Sequence, residues 1–375
     1  MSGTLKVTTL QDGASSTANL TFDTNANATV GGTLAMASSF KRNRIINGNM
    51  VVDQRNAGAS VTATDGGYTL DRWAAISYAS ASKFSIQQNA GSVTPPTGFT
   101  NYLGCTSLSA YSVGATDIYG LYQRIEGFNV ADLQWGTASA KTVTLSFVVY
   151  SSLTGTFGGA INNSAQNRSY PFSYSIPSAN TWTAISVTIP GDTSGTWLTT
   201  TGIGIQVSLG IGVGTTRSGT VGAWAGATYY SATGAVSIVG TNGATFYVTG
   251  VQLEVGTKAT PYEMQIYSDQ LAQCQRYCYV TNGLSIGRTY STTAISFAPI
   301  LPVPMRTTPS ASATSALAIV IPGTATYTQS SANAAVDGTY GIYGFLVNLG
   351  NFSGMSAGAV GYMYTSNFVT LSAEL

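Results

Sequence analysis

The carboxylates are the first place to look for chemistry, and there are few of them. The chain has 375 residues with 14 Asp+Glu, 15 Lys+Arg and no His. Asp65 and Asp71 bracket Gly66-Gly67-Tyr68, Asp117, Glu126 and Asp132 share one stretch, and Glu254 and Glu263 flank Pro261-Tyr262. A glycosidase needs two carboxyls about 5–10 Å apart across a cleft, but none of these groups forms an acidic motif. Their commoner role is capping N–H groups in turns. Without His there is no Ser-His-Asp triad, no His general base and no His metal ligand. The glycine clusters Gly31-Gly32, Gly202-Ile-Gly-Ile and Gly210-Ile-Gly-Val-Gly are followed by neither Lys-Ser/Thr nor a helix. They read as turns and close strand contacts rather than phosphate cradles. Cys274 and Cys278 stand four apart, on one side of a helix, and only Cys105 remains to join them. Buried apolar thiols are the better reading than a metal site, which would need four ligands. The expectation is a non-enzyme with no catalytic residue, no metal and no cofactor.

Aromatic side chains are the richest resource, with 22 Tyr, 13 Phe and 5 Trp. Exposed aromatic rings stack on the CH faces of sugars, and amides fix the hydroxyls. Trp135, Trp182, Trp197 and Trp224 sit near turns, and Trp224-Ala-Gly-Ala-Thr-Tyr229-Tyr230 is loop-like. These six residues, Trp135, Trp182, Trp197, Trp224, Tyr229 and Tyr230, are the candidate ligand-binding set. Against that stands the more frequent use of Trp in a β-sandwich, as core. Trp73, in Tyr68-Thr-Leu-Asp-Arg-Trp73, alternates as a core residue does.

The elements that must position these residues are nearly all strands. In residues 1–44, Leu5, Val7 and Leu10, then Leu20 and Phe22, mark short strands separated by turns. So few large apolar side chains cannot close a core alone, so this segment is expected to wrap identical copies or dock on a partner. Leu5, Val7, Leu10, Leu20 and Phe22 are its candidate contacts. Residues 45–262 carry strand-like runs at Trp73–Tyr78, Lys83–Gln88, Tyr119–Gln123, Thr142–Tyr150, Ala184–Ile189, Gly202–Leu209 and Thr245–Leu253. Seven or so strands punctuated by Gly, Pro, Asn and Asp describe a sandwich or jelly roll. Residues 263–280 lack Gly and Pro and place Ile266, Tyr267, Leu271, Cys274 and Tyr277 or Cys278 at helical spacing, which predicts a short helical connector. Residues 281–375 return to strands at Ser285–Arg288, Thr293–Phe297, Ala316–Ile321, Gly341–Asn348, Ala359–Tyr364 and Phe368–Leu371, a second, smaller β domain.

Composition removes several classes. Only 8% of residues are charged and 44% are hydrophobic, the opposite of a disordered chain. A net charge of +1 lacks the basic excess of a duplex-binding protein. No basic-then-apolar leader opens the chain and no run approaches 18 apolar residues, so neither a signal peptide nor membrane insertion is expected. So little charge cannot supply an ordinary soluble surface. The outside is expected to be rich in hydroxyls and amides and partly buried between copies of the chain, and such a surface suits a neutral glycan.

Several blocks together resemble bacteriophage tail-fibre and receptor-binding proteins. They are Asn43-Arg-Ile-Ile-Asn-Gly-Asn-Met50 with Asp53-Gln-Arg55, Tyr68-Thr-Leu-Asp-Arg-Trp73, Val251-Gln-Leu-Glu-Val-Gly-Thr-Lys-Ala-Thr-Pro-Tyr-Glu263, Leu271-Ala-Gln-Cys-Gln-Arg-Tyr277 and Leu371-Ser-Ala-Glu-Leu375. The opening Thr4-Leu-Lys-Val-Thr-Thr-Leu-Gln-Asp12 is similar to the virion-attaching start of such fibres. The resemblance implies an all-β, intertwined homotrimer: an N-terminal attachment segment (1–44), a jelly-roll domain like a carbohydrate-binding module (45–262), a short helix (263–280) and a C-terminal β-sandwich tip (281–375). It implies a structural, adhesive virion protein, made in the host cytoplasm. Its partners would be itself, a tail, nozzle or adaptor protein and a host surface glycan or lipopolysaccharide, with no nucleic acid. The resemblance carries neither a catalytic site nor defined sugar contacts. A fibre-borne polysaccharide depolymerase and a head-attached fibre are the alternatives.

Overall fold

Strict alternation builds the central strands. In Val143–Ser151, the residues Val143, Leu145, Phe147 and Val149 all enter one core. In Ile203–Val213, Ile205, Val207, Leu209 and Ile211 do the same, leaving Gln206, Ser208 and Gly210 on the other face. The computed structural model describes residues 9–10, 20–22, 28–30, 41–80, 82–281, 285–313, 317–329, 333–337, 342, 344–363 and 369–375. The chain divides into two units, residues 1–42 and 43–375. The first contains three short antiparallel strands, Thr9–Leu10, Leu20–Phe22 and Ala28–Val30, in that order. Leu5 and Val7 lie outside the described residues, as do the side chains of Leu10, Leu20 and Phe22.

The second unit opens with two six-stranded sheets stacked on one core. One runs Thr183–Ile189, Val143–Ser151, Thr245–Val255, Leu103–Ser107, Phe84–Gln88, Val61–Thr62. The other runs Ser169–Ile176, Gly155–Asn162, Ile203–Val213, Ile118–Glu126, Trp73–Tyr78, Tyr68–Leu70. Every pairing within both is antiparallel, and the chain crosses repeatedly between them, as in a jelly roll. Two eight-residue strands stand outside the expected set, although Ser169–Ile176 sends Tyr170, Phe172, Tyr174 and Ile176 into the core in strict alternation. Gly155–Asn162 has three glycines, and Ser169–Ile176 contains Pro171. Pro171 is tolerated because its strand is the sheet edge.

The helix is shorter than the 263–280 expected from its spacing, running from Tyr267 to Gln275. Residues before it stay extended because Glu263 is already committed: its N–H donates to Gln252 Oε1, and its carboxylate accepts from the Asn43 N–H. It ends because Cys278–Val280 pairs with Val369–Ser372. The buried side is Gln270, Cys274 and Tyr277, whereas Ile266 and Tyr267 are exposed. Beyond it lie a three-stranded sheet (Cys278–Val280, Val369–Ser372, Ser310–Ala313) and a seven-stranded one centred on Val360–Met363 and Ile286–Thr289. Side chains from both sheets share a second core that includes Phe297, Ile319, Val347 and Leu371.

A polar seam joins these parts, and the blocks singled out in the sequence build it. Asn43 Nδ2 donates to Val251 O, and Asn43 Oδ1 accepts from the N–H groups of Ile45 and Leu253. Gly48 passes so close to Val251 that a Cβ there would stand 2.1 Å from the Val251 carbonyl oxygen. Asn47 Nδ2 donates to the carbonyls of Val52 and Asp71, while the Asn47 carbonyl accepts from Trp73 Nε1. Across the seam Glu126 takes both Arg276 Nε and Nη2 at 3.0 and 2.7 Å, and the Tyr277 hydroxyl at 2.7 Å. Arg72 pairs with Glu374 and lies over the Tyr277 ring, 3.6 Å from its centroid.

Two outcomes follow for stability. Glu126→Ala leaves Arg276 and the Tyr277 hydroxyl without their acceptor and is expected to cost about 3–5 kcal/mol in denaturant unfolding. Asp71 is fully buried, and burial pushes its carboxyl from 3.8 up to about 6 against the opposing pull of Arg55 and the Gln54 hydrogen bonds. The folded state therefore holds this proton more tightly than the unfolded one. Asp71 adds stability as pH falls from about 6 to 3.8, and that contribution is lost as pH rises through about 6. The span corresponds to about 3 kcal/mol. Calorimetry of the parent protein is expected to show Tm rising as pH falls from 7.5 to 5, and Asp71→Asn should flatten that rise; an unchanged slope would assign it to other groups.

Candidate functional site

The outer face of the second sheet, away from the core, is where a groove forms. Along Trp73–Tyr78 the residues Trp73 and Ala75 face the core, so Ala74, Ile76 and Tyr78 face outward. Along Ile118–Glu126 the residues Tyr119, Leu121 and Ile125 face inward, which leaves Ile118, Tyr122 and Arg124 outward. Between them Gly120 pairs with Gly210, and neither adds a side chain to the floor. The result is a cavity of about 450 Å³.

Its walls come from turns. Asp65 and Gly66 form one side, fixed by the Ser77 N–H donating to Asp65 Oδ1 and by Gly66 N–H to Ala75 O. Gln166, Arg217, Thr228 and Tyr230 form the other. That second wall is brought down by two short parallel strands, Ser218–Gly219 and Ser231–Ala232. They sit close because Gly158 and Gly210 lack Cβ atoms: one added at Gly158 would meet Ser231 Oγ at 2.4 Å. On the floor Arg124 is held by the Leu375 carbonyl, which accepts from Arg124 Nη1 at 2.7 Å and from Tyr68 Oη at 3.2 Å.

The groove combines ring faces, hydroxyls and amides. Tyr78 is half exposed, and no hydrogen bond within the described residues engages the Tyr78 or Tyr122 hydroxyl. Tyr122 carries the Arg124 guanidinium over its ring at 4.9 Å. Tyr230 Oη donates to Gln166 Oε1, and burial raises its pKa above the usual phenol value despite Arg217 and Arg124 nearby. Gln206 Oε1 accepts from Arg124 Nε at 3.0 Å. Such a surface can stack a sugar ring and bond its hydroxyls.

Of the six ligand-binding candidates, Tyr230 lines this groove. Trp135, Trp197 and Trp224 meet elsewhere, edge to face, with centroids 4.8, 5.3 and 5.4 Å apart. They cover one another's faces, and each indole N–H is used, on the carbonyls of Lys141, Ser194 and Pro190 respectively. Trp182 packs on Tyr102 and Tyr150 at the outer face of the first sheet, and its N–H holds the Thr94 carbonyl. Tyr229 packs beside Gly219, and its carbonyl accepts from Asn162 Nδ2. Among the carboxylates considered for catalysis, Asp117 accepts from Tyr111 Oη and the Gly114 N–H, Asp132 pairs with Arg44, and Glu254 accepts from Thr260 Oγ1 and N–H. Burial raises the thiols of Cys105 and Cys274 well above the usual range and pushes Cys278 up to about 12. Tyr78, Tyr122, Arg124, Gln206 and Arg217 were not singled out by sequence. The available signal was Trp73–Tyr78, apolar on both faces although its outer face has no second sheet above it.

No protein-family model and no curated protein matches the chain. Among solved structures it is similar to the enzymatically active domain of bacteriophage CBA120 tailspike protein 4, at 10% identity and TM-score 0.32, over 57% of this chain and 22% of that one. An arabinose-bound α-L-arabinofuranosidase gives 14% identity and TM-score 0.31 over 61% of this chain and 29% of that one. A family 11 carbohydrate-binding module from Clostridium thermocellum gives 13% identity and TM-score 0.26 over 53% and 97%. At these TM-scores the likenesses carry no argument, and function has to be read from the groove itself.

The two classes of aromatic make opposite stability predictions. Trp135→Ala, which empties the three-indole cluster, should lower unfolding free energy by about 3–5 kcal/mol. Tyr78→Ala, at a half-exposed side chain, should stay within about 0.5 kcal/mol of the parent in the same urea titration.

Proposed function

We propose that this chain is a structural and adhesive tail-fibre protein of a bacteriophage that grips host-surface glycan or lipopolysaccharide and performs no chemistry on it. The observation that carries the reading is the groove on the outer face of the second sheet, where Tyr78, Tyr122 and Tyr230 stand with Gln166 and Gln206. It has the size of a small ligand's site, and it sets the exposed Tyr78 ring beside fixed amides, the combination that saccharides need. The fibre assignment is supported by the ordered blocks from Asn43 to Leu375 that resemble tail-fibre proteins. In this reading residues 1–44 attach to a tail, nozzle or adaptor protein, and three copies intertwine. Several weak sugar contacts on one particle then gain about 10²–10⁴ in avidity. The protein is carried in the virion.

A bacterial glycan array probed with the full chain tests the site. Retention on at least one surface polysaccharide is expected, with loss on Tyr78→Ala and with bound polymer keeping its length on gel filtration. Failure to bind any glycan, or binding indifferent to Tyr78→Ala, would overturn the groove; shortened polymer would make the protein a depolymerase. Sedimentation of a folded monomer containing residues 1–44 would remove the trimer.

A further inference from the structure

The groove contains more charge than such a charge-poor chain leads one to expect. Arg217 and Arg124 line it, with Asp65 on the opposite wall. Arg217 is half-buried, yet its guanidinium makes no side-chain hydrogen bond and no ion pair among the described residues. Half-buried arginines elsewhere in the chain are engaged: Arg168 by Asp192 through two bonds of 2.7 Å, Arg276 by Glu126. Arg124 spends Nε on Gln206 and Nη1 on the Leu375 carbonyl, and no hydrogen bond is assigned to its Nη2. Asp65 forms no ion pair with either arginine, and one of its oxygens already accepts from the Ser77 N–H.

From this cluster we infer that the groove takes a glycan bearing an acidic substituent, a carboxylate or a phosphate, which Arg217 binds with support from Arg124. This rests on the glycan-binding reading above and narrows it to anionic sugars, against the neutral glycan that the composition suggests. A planar guanidinium with its donor fork unused matches either anion by two parallel hydrogen bonds. The walls withdraw that interaction from bulk water, where it would be weak. Tyr78, half exposed, supplies the ring contact that holds the sugar, so the charge selects and the aromatic binds. The exposed Asp65 carboxylate faces the cavity from the other wall and suits a sugar hydroxyl.

The test uses the full chain on bacterial surface polysaccharides in matched pairs: native, carboxyl-reduced and dephosphorylated. Binding is expected for acidic polymers, to fall at least tenfold after one of the two treatments, and to weaken with added salt. Loss on carboxyl reduction names a uronic-type acid; loss on dephosphorylation names a phosphorylated sugar. Arg217→Gln should reproduce the loss on the native polymer while leaving Tm unchanged, since the side chain has no internal partner to lose. Polymers that stay bound after both treatments and to Arg217→Gln, yet are released by Tyr78→Ala, would overturn the acidic specificity and leave the glycan site standing. No binding to any member of the set would overturn both.

Discussion

Much of this molecule depends on where Arg72 puts its charge. The side chain is 1% exposed, ion-paired with Glu374, stacked on Tyr277, and bonded through Nη2 to the Arg124 carbonyl. A buried cation is tolerable only when its donors and its charge are answered together. Here the answers reach the turn before Trp73 from three segments far apart in sequence: Tyr277 after the helix, Glu374 in the last strand's tail, and Arg124 in a central strand of the sandwich, while Arg72 Nε has no hydrogen-bond partner among the described residues. Removing Glu374 leaves the guanidinium in a low dielectric without a counter-charge. The constraint therefore fixes not one contact but the relative placement of the sandwich and everything after residue 263.

The same constraint reaches the groove. Glu374 is held by Arg72 and Arg55, which brings Leu375 to Tyr68 and Arg124. The posture of one of the groove's two arginines is thus set by a buried ion pair outside it. A site whose floor is strand and whose arginine is anchored this way gives up little ordering entropy on binding. Its other wall is anchored less by charge than by absence: Gly158 and Gly210 let the Ser218–Ala232 stretch lie on the sheet.

This arrangement explains which parts of the molecule were legible in the sequence. Strands with one core face, such as Val143–Ser151 and Ile203–Val213, announce themselves by alternation. Gly155–Asn162 does not, because its glycines leave Phe157 and Ile161 as the large side chains on the core face; Ser169–Ile176 does alternate, through Tyr170, Phe172, Tyr174 and Ile176, but Pro171 reads as a break until the strand is known to be an edge. The helix was legible in kind but overextended, since spacing alone cannot show that Glu263 is bound to Asn43 or that Cys278 belongs to a sheet. The recurrent-looking blocks were legible as a set, and their meeting at one seam gives the reason: they are the residues that close the fold. Loops that meet a ligand are under no such mutual constraint, so resemblance passes over them.

The site was hidden for a further reason. A tryptophan beside a turn and a tyrosine at the end of a strand differ in sequence, but not in the direction that matters. Trp135, Trp197 and Trp224 satisfy one another and their own N–H groups, so the largest rings in the chain are used up as packing. Tyr78 and Tyr122 keep free hydroxyls because the parity of their strands turns them away from a core already filled by Trp73 and Tyr119. With few charges to spend, the chain commits most of the arginines described above to closing its fold. Arg217, without a side-chain partner among the described residues and in the same groove as those two tyrosines, is therefore the exception by which the site is recognised.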